Sequence, residues 1–287
     1  MEARGRSDQL TPGERAALEA RPRPLSRALA ARLDRRTILR SAAFLGAVAA
    51  LRPPVEQTML AAGVDVSRGW LTSKYLPGTE LRWRVAVPQR CRGLVLALHG
   101  KGGASGYWFN VLDAARIARE TGLAVAAVDG LLSYWHPREG SDAPAMLTRE
   151  FLPLLAARGL PTERIGLTGV SMGGYGSLYL AGELGPGRVF GVATMSAALR
   201  QDFADTSPGA FDDAEDFAKH SIFARVGKLS GIPISLACGD DDRFFEGNVA
   251  LSRLLPRARV ILDEGGHTTA YCRDHWGDQM AWLADRI

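Results

Sequence analysis

From about residue 81 onward, apolar runs of strand length alternate with longer stretches whose apolar positions fall at helical spacing. The runs are Leu81–Val87, Leu94–His99, Leu123–Val128, Ile165–Val170, Val189–Met195, Ile234–Ala237 and Arg259–Leu262. Several are continuous, such as Leu94-Val95-Leu96-Ala97-Leu98. A strand with one wet face alternates, so an unbroken apolar run marks burial on both faces. Helices are expected over Trp108–Thr121, Ala143–Arg158, Gly174–Leu184, Gly247–Leu255 and Trp276–Ile287. Strand–helix alternation predicts an α/β fold: a mainly parallel central sheet with helices on both faces, and a site at the carboxyl ends of the strands. Residues 200–228 break the rhythm. They are polar and acidic, punctuated by Phe203, Phe211, Phe217 and Phe223. Two readings stand: a lid or insertion over the site, or a surface excursion anchored by its phenylalanines.

The chain before this region has a different character. Residues 1–34 are rich in Arg, Ala and Pro and hold little apolar material for a core, so this stretch is expected to be largely disordered. Asp34-Arg35-Arg36-Thr37-Ile38-Leu39-Arg40 resembles the twin-arginine export signal. The apolar run Ser41–Leu51, closed by Arg52-Pro53-Pro54, is too short to span a bilayer and suits a signal-peptide core. Small residues fit for cleavage follow at Ala47-Val48-Ala49 and Ala61-Ala62. The expected organisation is a leader and linker over residues 1–67 and a single domain over 68–287. The protein is expected to be exported, and to stay membrane-anchored only if the signal is uncleaved.

Charge supports that division. The formal net charge is +4, and residues 1–67 hold 11 Lys and Arg against 7 Asp and Glu, which accounts for the whole excess. The remainder is balanced, so nothing there favours nucleic acid or an anionic surface as a partner. Cys91, Cys238 and Cys272 lack metal-site spacing. Three buried thiols is one reading; one disulfide plus a free thiol is the other, open to an exported chain.

The chemistry begins at Gly169-Val170-Ser171-Met172-Gly173, a G-x-S-x-G motif between an apolar strand and a helix-compatible stretch. The chain must turn sharply there, and glycine two residues either side of Ser171 avoids a clash. The hydroxyl is then presented at the strand end, over a helix amino terminus that favours developing negative charge. An earlier glycine-rich turn, His99-Gly100-Lys101-Gly102-Gly103, follows another strand and lacks the phosphate-loop patterns.

Together these segments resemble the α/β-hydrolases. The resemblance implies an oxyanion hole made by the backbone N–H groups of Lys101 and Met172, with Gly102 able to replace Lys101. It also implies a triad in the order serine, acid, histidine. Of the histidines after Ser171, His267 directly follows the last strand, in Glu264-Gly265-Gly266-His267-Thr268, and is expected to be the base. His275 lies beside the last helix, and His220 in the polar insertion. The acid is expected in Cys238-Gly239-Asp240-Asp241-Asp242; the family spacing selects Asp242, with Asp241 second. A calcium reading of this run lacks the alternating carboxylate pattern. Asp129, also at a strand end, precedes the usual acid position and is read as structural or substrate-facing.

Within that superfamily, residues 80–287 resemble the putative-esterase branch: esterase-D-like enzymes, feruloyl esterases and mycolyltransferases. The segment Asp129-Gly130 through Ser133-Tyr134-Trp135-His136 carries this, along with the His loop. The resemblance implies hydrolysis of a small-molecule or cell-envelope ester by Ser171, His267 and Asp242 through an acyl-enzyme, with no cofactor and no metal. His99, Tyr134, Trp135 and His136 are candidate substrate contacts, against a packing role for the aromatic pair. Two alternatives use the same scaffold: an acyltransferase with an alcohol or sugar acceptor, and a non-catalytic binding protein. A Cys238–Cys272 bridge would brace the acid and base loops.

Overall fold

The strands whose runs are unbroken lie at the centre of the sheet. In the computed structural model, which describes residues 55–61 and 63–287, nine strands form one sheet. They are β1 (Val55–Ala61), β2 (Val64–Thr72), β3 (Glu80–Pro88), β4 (Gly93–Leu98), β5 (Leu123–Val128), β6 (Ile165–Val170), β7 (Val189–Met195), β8 (Ile234–Asp241) and β9 (Arg259–Gly266). The spatial order is β1-β2-β3-β5-β4-β6-β7-β8-β9. From β5 to β9 every neighbouring pair is parallel; β1, β2 and β3 are added antiparallel at one side. Every residue of β4, β5, β6 and β7 is buried, as continuous apolar runs require. The edge strand β9 is half exposed.

The sheet begins earlier than the sequence suggests. The linker was expected to reach residue 67, yet β2 pairs with β3 from Val64↔Pro88 to Thr72↔Glu80, and β1 pairs with β2. Ser67, Arg68 and Gly69 break the apolar pattern of this strand, with Ser67 and Gly69 on buried positions; its pairing partners define it. Val55–Ile287 forms one compact unit. The twin-arginine-like segment, the apolar run 41–51 and the first small-residue site lie outside the described residues. Among the described residues no helix is long and apolar enough to cross a membrane.

The connections are α1 (Gly106–Asn110), α2 (Ala114–Thr121), α3 (Ala143–Met146), a π-helical turn Leu147–Phe151, α4 (Leu152–Ala156), α5 (Met172–Leu184), α6 (Ala214–His220), α7 (Phe245–Leu254) and α8 (Thr269–Ala284). The helix expected over Trp108–Thr121 is split in two. Asp113 takes a left-handed φ of 54° and accepts from the Arg116 N–H, restarting the helix as its N-cap. α8 starts before Trp276 because the Thr268 hydroxyl caps the Tyr271 N–H. Trp108 from α1 and Trp276 from α8 meet beside the sheet with ring centroids 4.8 Å apart, both fully buried. Cys238 and Cys272 are buried free thiols and Cys91 is an exposed one, so the Cys238–Cys272 bridge is absent.

Candidate active site

β6 delivers Ser171 at its carboxyl end, and α5 begins with the next residue. Ser171 holds φ 56° and ψ −120°, a conformation that costs an L-residue on the order of 1–3 kcal/mol. Backbone hydrogen bonds on both sides hold it there. Its N–H donates to Met195 O (3.1 Å), and its carbonyl accepts from Tyr175 N–H (3.1 Å) and Ala198 N–H (2.9 Å). The flanking glycines are obligatory for space. A Cβ on Gly169 would lie 2.0 Å from Gly173 O, and one on Gly173 would lie 1.8 Å from Leu98 O.

β9 and β8 deliver the other two groups. His267 Nε2 is 3.0 Å from Ser171 Oγ, and His267 Nδ1 is 2.9 Å from Asp242 Oδ2. Asp242 Oδ1 accepts from Phe244 N–H at 2.8 Å, and the carboxylate is fully buried. Burial alone would raise its pKa, but the hydrogen bond and charge of His267, with the Phe244 N–H, hold it below the usual carboxylate range. An ionised Asp242 only accepts, so Nδ1 of His267 carries the proton and Nε2 presents a lone pair to the serine. Of the neighbouring acids, Asp241 is exposed, and Asp240 accepts from Gly265 N–H, joining the acid loop to the base loop.

The turn after β4 lies against the serine: a Cβ on Gly100 would sit 3.4 Å from Ser171 Cβ. Gly103 N–H closes this turn on Gly100 O at 3.0 Å, and Gly102 has φ +74°. Lys101 and Gly102 are its central residues, whose N–H groups the turn's own bond does not use. Met172, the first residue of α5, has an N–H with no acceptor inside the helix. The Lys101 ammonium reaches away, donating to Pro208 O at 2.7 Å.

Of the four candidate substrate contacts, only Tyr134 lines the cleft beside the site. His99 is fully buried, with Nδ1 2.8 Å from Gly100 O and Nε2 accepting from Gly130 N–H at 2.8 Å. Both nitrogens serve backbone groups, and burial keeps the ring neutral by lowering its pKa. Trp135 is fully buried and donates its Nε1–H to His99 O. His136 is fully buried and lies 3.3 Å from Asp216 Oδ2. These three hold loop backbone or Asp216 and do not line the cleft. Asp129 is structural as well, accepting from Ser105 N–H and pairing with Arg82.

Residues 200–228 wall this cleft. They hold α6 and contribute Phe211, Phe217, Ile222 and Phe223 to a cleft also lined by Tyr134, Tyr175, Ala198 and Phe244. The cleft flanks the serine: Ala198 bonds the Ser171 carbonyl, and the Phe244 ring meets His267 edge-on with centroids 5.2 Å apart. His220, set aside on sequence, anchors this segment. It shares the Asp216 carboxylate with His136, its Nδ1 2.7 Å from Asp216 Oδ1. Asp216 and His220 lie one helical turn apart on α6, a spacing visible in the sequence, whereas His136 arrives from a distant loop. These three are the described residues whose donor atoms converge closely enough to hold a metal ion.

The fold recurs in solved structures. An S-formylglutathione hydrolase from Agrobacterium tumefaciens aligns with TM-score 0.67 at 18% identity, over 81% of this chain and 99% of that one. A ferulic acid esterase gives 0.67 at 16% identity, over 78% and 99%. Mycobacterium tuberculosis MPT51 (FbpC1) gives 0.64 at 16%, over 76% and 97%. No curated protein sequence matches. The family described as Putative esterase matches residues 141–275, a span holding Ser171, Asp242 and His267. The chain is a serine esterase of the α/β-hydrolase fold, similar over residues 141–275 to the putative esterases. An α/β-hydrolase needs its nucleophile, base and oxyanion donors at adjoining strand ends, which is where β4, β6, β8 and β9 of this esterase terminate.

Proposed function

We propose that Ser171, His267 and Asp242 hydrolyse carboxylic esters through an acyl-enzyme. One observation carries the reading: an unbroken hydrogen-bonded line from Ser171 Oγ through His267 to Asp242. Ser171 Oγ attacks the ester carbonyl as its proton passes to His267 Nε2. The carbonyl oxygen becomes an oxyanion, received by the N–H groups of Met172 and of Lys101 or Gly102. The tetrahedral adduct collapses, and the alcohol leaves with the proton from Nε2. Water, deprotonated by the same nitrogen, releases the acid and restores Ser171. Asp242 stays ionised throughout and stabilises the imidazolium. Substrates are small-molecule esters, and the leader is proposed to direct export by the twin-arginine route.

The test uses the full chain with p-nitrophenyl esters from acetate to palmitate and a fluorophosphonate probe. Turnover and labelling in the wild type, both lost in Ser171→Ala, are expected. A folded wild type that neither labels nor turns over refutes the catalytic reading. Adding glycerol or a sugar and analysing products separates hydrolysis from acyl transfer.

A further inference from the structure

The cleft beside the serine has an uneven charge. Among the described residues fourteen line it, Arg200 alone carries a charged side chain, and none is a carboxylate. The other walls are aromatic or aliphatic, with hydroxyls from Thr206, Ser207 and Ser221. Arg200 lies just past the carboxyl end of β7, two residues after Ala198, which holds the Ser171 carbonyl. Its guanidinium stacks on Phe244 at 4.7 Å from the ring centroid, and the same ring abuts His267.

That stacking is all that engages Arg200. It makes no hydrogen bond or ion pair among the described residues, although Asp202 and Asp205 follow closely in sequence. Its Nε is buried without a hydrogen-bond partner. A buried N–H on a cation with no acceptor is costly, and it is rarely kept unless something fills it. A planar fork with an open Nε edge matches a carboxylate, which accepts two parallel N–H bonds. The ring beneath fixes the plane of the fork, so an anion meets a pre-oriented donor pair in a poorly solvated cleft.

We propose that Arg200 forms an anion-binding subsite, and that the preferred substrates are esters bearing a carboxylate beside the scissile bond. This rests on the catalytic reading above. Arg200 is a specificity residue here: it touches the substrate's anionic group and takes no part in proton transfer.

Two matched pairs test it on the full chain. The first is the p-nitrophenyl monoester of glutaric acid against p-nitrophenyl valerate, which places the anion on the acyl side. The second is m-acetoxybenzoate against phenyl acetate, which places it on the alcohol side. The wild type should prefer the anion in one pair, and that pair identifies the side the cleft receives. In Arg200→Met the ratio of anionic to neutral kcat/KM should fall about tenfold or more, chiefly through KM. Arg200→Lys keeps the charge but not the fork and should fall in between. Equal ratios in wild type and Arg200→Met, in both pairs and with an unchanged circular dichroism spectrum, overturn the proposal. Failure of the catalytic reading looks different: no fluorophosphonate labelling and no turnover of any of the four esters.

Discussion

Replacing Asp242 by Asn changes one atom's chemistry in a fixed frame, and the structure dictates the consequence. The side chain is fully buried and meets two donors: Phe244 N–H at 2.8 Å and His267 Nδ1–H at 2.9 Å. An amide has one oxygen to give. The Phe244 N–H belongs to the backbone and cannot change its role, so the amide oxygen stays there. The NH2 then faces His267 Nδ1. Two donors cannot share that contact, so the imidazole proton moves to Nε2 and points at Ser171 Oγ, 3.0 Å away. The base has lost its lone pair. The same tautomer error in an unrelated serine enzyme lowers kcat by about 10⁴, or about 5 kcal/mol of barrier, and a similar loss is expected here. The fold should survive, because the replacement is isosteric and keeps both contacts. Steady-state kinetics on p-nitrophenyl acetate, the rate of fluorophosphonate labelling and a thermal melt are the assays. Asp241→Asn is the matched control, since that carboxylate is exposed and should matter little. Activity within tenfold of wild type in a folded Asp242→Asn protein would refute the argument that Asp242 sets the tautomer.

Gly173→Ala should do more damage than its size suggests. Its Cβ would come within 1.8 Å of Leu98 O, so the elbow must shift, and a displacement of about 1 Å at Ser171 costs on the order of a hundredfold in kcat. Stability should also depend on pH through His136, whose pKa is pushed down by burial to about 4. An unfolded histidine titrates near 6.5, so between these values the unfolded chain binds the extra proton. Stability should therefore fall as pH drops from about 6.5 towards 4, by up to about 3 kcal/mol from this group, and His136→Asn should flatten the slope in thermal melts. Thiol titration of the denatured, unreduced protein should find all three cysteines free; a count of one would restore the disulfide. Replacing Arg35 and Arg36 by lysine should retain the protein in the cytoplasm, as read by cell fractionation.

Much of the fold was legible because it rests on one signal. Strands with both faces buried must be apolar throughout, which marked β4 to β7, while shorter apolar runs marked β3, β8 and β9. β1 and β2 escaped because an edge hairpin is specified by its partners, and Val64-Asp65-Val66-Ser67 reads as linker until β3 lies beside it. At the site, Ser171 and His267 were picked out by the glycine pattern and the strand–helix junctions that present them. Asp242 needed family spacing, because three consecutive carboxylates offer no local distinction. What sequence could not give was direction. His99, Trp135 and His136 sit in the expected loops, yet their polar atoms turn towards backbone or Asp216. Arg200 carries no motif at all; its significance comes from the residues that fail to pair with it.

His99 gives the site an unusual piece of carpentry. The parallel ladder between β4 and β5 runs as far as Leu96↔Ala126, and beyond it the two chains diverge into their loops. The imidazole bridges that gap with a donor on one edge and an acceptor on the other, the same pair a peptide group offers. It works as one more rung, made from a ring. Such a rung could in principle be removed by acid, because a proton on Nε2 would set two donors face to face at Gly130; burial guards against this by disfavouring the charge. The turn bearing Lys101 and Gly102 thus hangs from the sheet by a stiff joint.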